Sequence, residues 1–225
     1  MNSPVFSTTA VSTAATNKLI RNTYTLLAMT LVFSAITAGI SLAIQPPQFI
    51  GLVCSLGALA LIWLVLPKTA NSSSGLAVVF GITGLLGFGL GPILSHYLSM
   101  ANGGEIVMMA FGATAAIFLG LTGYVMVTKK DFSFMGGFLM AGMIVVIVAM
   151  LALLIAGLFG YAMPMASLAL SGAVAMLMAG FMLYDTSRLV NGGEDNYIMA
   201  TVGIYLSIYN LFTALLHLIG FANDD

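Results

Sequence analysis

The stretch LYDTSRLVNGGEDNY, residues 183–197, holds Asp185, Arg188, Glu194 and Asp195 in a chain that has only six Lys and Arg and seven Asp and Glu. Asp185 directly follows the apolar run AVAMLMAGFMLY. A carboxylate at the centre of a bilayer costs about 2.5–3.5 kcal/mol on insertion scales. Near the end of a span, with Arg188 at i+3, the cost is smaller. Two chemistries fit Asp185. It can form an interfacial pair with Arg188, or it can face the mouth of a helix bundle and bind a cation or titrate. Glu194 and Asp195 follow a Gly-Gly pair and are expected to be solvated.

A second set of polar groups lies further on. Ser207, Asn210, Thr213 and His217 are spaced by 3, 3 and 4 residues, which places them along one face of a helix. Asn and His facing lipid would be costly, so this face should point into protein. There the four side chains can hydrogen-bond neighbouring helices, or line a path for an ion or proton. Tyr205 and Tyr209 fall off this stripe.

The elements that position these groups follow from composition. Hydrophobic residues make up 60% of the 225 residues and charged residues 6%, with a mean hydropathy of +1.10. Soluble domains carry about a quarter charged residues, so lipid must be the main solvent of this chain. An outer-membrane barrel would need short segments of period-two alternation, whereas the apolar runs here are long and unbroken. The fold class is therefore all-α, a polytopic membrane protein. A net charge of -1 gives no reason to expect a nucleic-acid partner. No metal-ligand cluster, phosphate loop or nucleophile motif appears, so no cofactor and no enzymatic activity are expected. Cys54 lies in an apolar run and reads as inert packing.

Cutting at QPPQ, PKTANSSSG, SMANGG, TKKD and FGYAMP, and at the polar stretch before Ala200, predicts seven transmembrane helices. They are expected at Thr23–Ile44, Phe49–Leu66, Gly75–Leu98, Glu105–Val127, Phe132–Leu158, Pro164–Tyr184 and Ala200–Phe221. Residues 1–20 read as a flexible cytoplasmic tail, and residues 21–222 as the transmembrane domain. Lys18, Arg21, Lys68, Lys129, Lys130 and Arg188 all fall on the N-terminal side of the membrane. The positive-inside rule then puts the N-terminus in the cytoplasm and the C-terminus outside. Gly87-x-x-x-Gly91, Ala116-x-x-x-Gly120, Gly137-x-x-x-Ala141 and Ala175-x-x-x-Ala179 are candidate helix-contact surfaces, and the methionines read as adaptable fillers.

The segment YDTSRLVNGGEDNYIMATVGIYLSIYNLFTALL resembles the signature of the Bax inhibitor family. KLIRNTYTLLAMTLVFSAITA, KTANSSSG, LGPILSHYLS and TKKDFSFMGGFLMAG extend the resemblance along the chain in order. The resemblance implies a seven-helix bundle with the last helix at its centre. Several family members are described as pH-sensitive calcium leaks, in which an acidic residue of the sixth-helix D-T motif pairs with one in a Y-L-D-I context on the last helix. Asp185 occupies the first position. The second reads YLSI here, with Ser207 in place of the carboxylate. One carboxylate and a hydroxyl lack the shared-proton coupling of two close carboxylates, and they offer less to Ca²⁺. The resemblance is strongest to a bacterial inner-membrane branch. That branch implies a different partner: FtsH, a membrane-anchored ATP-dependent protease, inhibited by a slow substrate. The implied handle is the N-terminal tail, including Asn2, Ser3, Pro4, Val5 and Phe6. The alternative is a calcium or cation leak using Asp185, Arg188, Ser207, Asn210 and His217.

Overall fold

The computed structural model describes residues 13–223. Asn2, Ser3, Pro4, Val5 and Phe6 lie outside the described residues. Among the described residues there are seven helices long and apolar enough to cross a membrane. We number them α1 (Thr13–Ile44), α2 (Phe49–Thr69), α3 (Ser74–Leu98), α4 (Gly103–Thr128), α5 (Ser133–Leu158), α6 (Pro164–Asn191) and α7 (Tyr197–Ala222). Such lengths suit a hydrocarbon core about 30 Å thick at 1.5 Å per residue.

The helix ends have local causes. Gln45 (φ 52) closes α1 ahead of Pro46-Pro47, since a residue before proline is steered away from the helical region. Pro67 cannot donate to the preceding turn, and α2 widens into a π-helical turn over Leu61–Val65 just before it. Lys129 (φ 51) ends α4, its N–H donating to Val125 O at 2.8 Å. Asn196 begins α7, its side chain accepting from the N–H groups of Ile198 and Met199.

Two boundaries depart from the sequence reading. Helix α1 starts at Thr13 rather than Thr23. Its first turns carry Ala, Thr, Asn and Lys, none of which breaks a helix. Helix α6 runs through Asp185 and Arg188 to Asn191 instead of ending at Tyr184. Thr186, Ser187 and Leu189 are buried against the bundle, so the helix keeps an inward face beyond the first charge. It stops at Gly192, whose φ of 83 suits glycine, and Gly193 N–H donates back to Arg188 O.

Helix α7 packs against α1, α3, α4 and α6; α3 also packs against α1, α2 and α4; and α6 also against α1, α4 and α5. Helix α2 packs its backbone against α3, and α5 packs its backbone against α6. The core is made by Leu27, Ile82, Met182, Ile204, Tyr205 and Leu211. Gly87 and Gly91 bring α3 onto α1: a Cβ at Gly87 would meet Ser34 and Thr37, and one at Gly91 would meet Ser41. The small-residue pairs elsewhere behave differently. Nothing lies within 4 Å of a Cβ built on Gly120 or Gly137. Helices α5 and α6 meet instead through Gly142 against Leu177 and Gly180 against Leu139.

Candidate functional site

Asp185 sits inside α6, six residues before its last residue, Asn191, or about 9 Å along the axis. Thr122 is six residues before the end of α4, and Gly203 six residues after the start of α7. The antiparallel run of helices brings these positions to one level. Asp185 Oδ2 lies 3.2 Å from the place a Cβ would take on Gly203. Any larger residue there would press on the carboxylate, so glycine lets α7 approach Asp185 closely.

Asp185 does not pair with Arg188. The Arg188 guanidinium reaches Glu194 at 3.2 Å and donates from Nη2 and Nε to Gly193 O at 2.7 and 3.1 Å. It also covers the Tyr184 ring at 5.5 Å. The Gly192–Gly193 turn doubles the chain back within reach of Arg188, while Asp185 faces α7. The expected Asp–Arg pair is replaced by an Arg188–Glu194 pair, and Glu194 is therefore not merely solvated.

Three hydroxyls complete the level of Asp185. Tyr24 of α1, Thr122 of α4 and Thr186 of α6 have buried oxygens without a hydrogen-bond partner. Tyr24 faces both threonines, with the charge of Asp185 beside it. Its ring tilts against Phe118 of α4 with centroids 6.4 Å apart. Below them, Thr201 donates to Tyr197 O at 2.7 Å and lies 3.3 Å from Thr23 O. Nothing in the sequence pattern sets Tyr24, Thr122 or Thr186 apart from ordinary span residues.

The α7 stripe divides. Ser207 is buried, one turn beyond Gly203, and no hydrogen bond joins it to Asp185 among the described residues. Asn210 donates to Leu206 O at 2.8 Å and Thr213 to Asn210 O at 3.0 Å, both within α7. His217 alone crosses between helices, sharing a 2.7 Å bond between Nδ1 and Ser171 of α6. The off-stripe Tyr205 is fully buried and shares a 2.7 Å bond with Ser34 of α1.

Loops at the basic end are tied together. Asn196 Nδ2 donates to Ala70 O at 3.1 Å and to Asn71 Oδ1 at 2.7 Å. Ser187 accepts from Phe132 N–H at 2.8 Å and reaches Asp131 at 3.3 Å. Hydrogen bonds from Ser133 hold the Asp131 carboxyl below its ordinary pKa. A cleft of about 270 Å³ lies between the first turns of α1 (Lys18, Leu19, Asn22) and the α6–α7 loop (Glu194, Asp195).

Residues 16–224 match the family model for the inhibitor of apoptosis-promoting Bax1. A membrane protein of Vibrio cholerae serotype O1 is 47% identical over 227 residues, covering 100% of both chains. A protein of Escherichia coli K12 named modulator of FtsH protease YccA is 44% identical over 214 residues, 95% of this chain and 94% of its own. Its counterpart in Escherichia coli O6:H1 carries the name inner membrane protein YccA.

Proposed function

The chain belongs to the Bax inhibitor family, and from that premise we propose that it modulates FtsH, acting as a slow substrate of that protease in the bacterial inner membrane. The observation that carries this reading is the 44% identity, over nearly the whole of both chains, to a protein named as a modulator of FtsH. Its N-terminus lies in the cytoplasm and its C-terminus in the periplasm, in keeping with the gathering of basic residues at one end. The last helix serves as the centre of the bundle. The protease grips the residues ahead of α1, among them Asn2, Ser3, Pro4, Val5 and Phe6, and pulls against helices interlocked at Gly87 and Gly91. Slow extraction then occupies the enzyme.

The test is deletion of residues 2–12 with two readouts: the lifetime of the chain in FtsH-containing proteoliposomes, and the rate at which a second membrane substrate is degraded. The expected result is a longer-lived chain and a second substrate degraded faster than with the intact chain. Unchanged rates would overturn the tail as the handle.

A cation leak is the second reading, favoured by one observation: Asp185 faces unpartnered hydroxyls inside the bundle instead of Arg188. Ca²⁺ entry into liposomes, measured at several pH values beside Asp185→Asn, tests it. Flux lost in the variant supports the leak, and no flux above empty liposomes removes it.

A further inference from the structure

We propose that a cleft at the end of the bundle opposite the basic loops binds the headgroup of a zwitterionic phospholipid, one that carries a primary ammonium and a phosphate. The site is independent of any action on FtsH.

The cleft, of about 330 Å³, lies between the α1–α2 turn, with Gln45 and Gln48, and the last turns of α3, with Gly91, Pro92, Ser95 and His96. Small-molecule sites span about 300–1,000 Å³. Its inner wall holds polar groups that the protein leaves unspent. Ser41 of α1 is fully buried, and its hydroxyl has no hydrogen-bond partner. Ser55 and Thr69 turn back to carbonyls of their own helix, a common outlet for a helical hydroxyl. Ser41 instead points at Gly91, where a Cβ would meet its Oγ. Pro92 stands inside α3 and has no N–H for the carbonyl of Phe88, one turn below. A buried hydroxyl and a freed carbonyl at one wall call for a polar occupant.

Charge narrows the kind of occupant. No Lys, Arg, Asp or Glu lines the cleft among the described residues, so an occupant with a net charge would lack a counter-ion there. Three helix ends meet at it: α1 closes at Ile44, α3 closes at Leu98 and α2 opens at Phe49. A helix carries roughly half a negative charge at its C-terminus and half a positive charge at its N-terminus. The start of α2 is free to receive an anion, because Gln48 makes no cap bond to it. An ammonium faces the ends of α1 and α3, and a phosphate the start of α2. The occupant is thus neutral overall and dipolar within. Gln45, Gln48 and Ser95 offer oxygen acceptors to the N–H groups of a primary ammonium. A quaternary ammonium donates nothing and is held by aromatic faces, and no Phe, Tyr or Trp lines the cleft among the described residues.

Position makes the occupant a lipid. The cleft opens where three spans end, at the depth of headgroups. Ile44, Phe49, Leu52 and Ile93 beside it are exposed, a face along which acyl chains lie while the headgroup turns inward.

The experiment uses the full chain in neutral detergent micelles. Thermal unfolding is followed with added phosphatidylethanolamine, phosphatidylcholine, phosphatidylglycerol, diacylglycerol or soluble phosphoethanolamine, and native mass spectrometry counts the lipid retained. The expected result is one retained phosphatidylethanolamine and saturable stabilisation by it above the other four. At a tenfold excess over the dissociation constant, the folded-to-unfolded ratio rises about tenfold. Gln48→Leu and Ser95→Ala, at exposed and half-buried positions, each lose this preference while folding normally. Should Ser95→Ala fail to fold, His96→Leu tests the same wall from an exposed position. Equal stabilisation by diacylglycerol would overturn the proposal in favour of unspecific lipid solvation. Phosphatidylglycerol as good or better would overturn it in favour of an anionic headgroup, and phosphatidylcholine as good would overturn the primary ammonium. Soluble phosphoethanolamine as effective as the lipid would overturn the lipid source. Variants that keep the wild-type preference would place the lipid elsewhere and overturn the cleft.

Discussion

Asn196 joins two loops and starts a helix with one side chain, and its replacement separates those tasks. Its Oδ1 accepts from Ile198 N–H at 2.9 Å and Met199 N–H at 3.2 Å. Its Nδ2 donates to Ala70 O and Asn71 Oδ1. Loss of an N-cap costs about 1 kcal/mol. Each lost hydrogen bond costs about 0.5–1.5 kcal/mol, toward the lower end here because the loops are partly exposed. Asn196→Ala should therefore destabilise by about 2 kcal/mol. Asn196→Asp keeps the cap acceptor, and a negative charge at a helix N-terminus is favourable by about 0.3–1 kcal/mol, but both donors are lost. It should cost no more than about a third of the alanine variant. Asn71→Ala removes one acceptor and should cost about 0.5 kcal/mol. The assay is reversible unfolding in mixed micelles, followed by helical circular dichroism. Asn196→Ala within about 0.5 kcal/mol of wild type would refute the reasoning on the cap. Asn196→Asp as harmful as alanine would show that the donors, rather than the cap, carry the effect.

Tyr205→Phe removes the hydroxyl that bonds Ser34 across α1 and α7. It leaves a buried serine short of a partner, with an expected loss of about 1–3 kcal/mol in the same unfolding assay. Pairing it with Ser34→Ala should restore part of that loss. Gly91→Ala forces a methyl against Ser41, and overpacking of this kind costs about 1–3 kcal/mol, whereas Gly120→Ala, in mid-helix and facing open space, should stabilise by about 0.4–1 kcal/mol and raise the unfolding midpoint. Asp131 has a lowered carboxyl pKa in the folded chain, so its contribution is fully present above the ordinary value of about 3.9. It is lost as pH falls through the folded value. Stability of Asp131→Asn and wild type should converge in that acid range and differ above it, read from unfolding midpoints against pH.

The spans were legible because long apolar runs, proline breaks and basic loops each report on the bilayer. The end of α6 was not. A charge after an apolar run looks like an exit from lipid, yet Thr186, Ser187 and Leu189 continue a buried face that polarity alone hides. The partner of Arg188 was equally hidden. Spacing by three suggested Asp185, but the Gly192 turn folds Glu194 back onto it. Small-residue spacing identified the α1–α3 contact at Gly87 and Gly91, because both glycines face a neighbour. It misplaced the α5–α6 contact, since spacing cannot tell a face toward protein from a face toward lipid. The hydroxyls of Tyr24, Thr122 and Thr186 belong to three separate helices, and only folding brings them to one level.

The neighbour pattern of the helices has a mechanical consequence. Helices α1 and α7 are the first and last of the seven spans, and each packs among several others, while α2 and α5 rest mainly on one helix apiece and lie between them in sequence. A force applied at either end therefore meets its greatest opposition first, before any weakly attached helix can peel away. Once α1 yields, α2 is still retained by its long contact with α3 and by the Asn196 bonds to Ala70 and Asn71 at its end. Drawn from the N-terminus, the chain should show a large barrier at α1 and a second where α2 leaves α3.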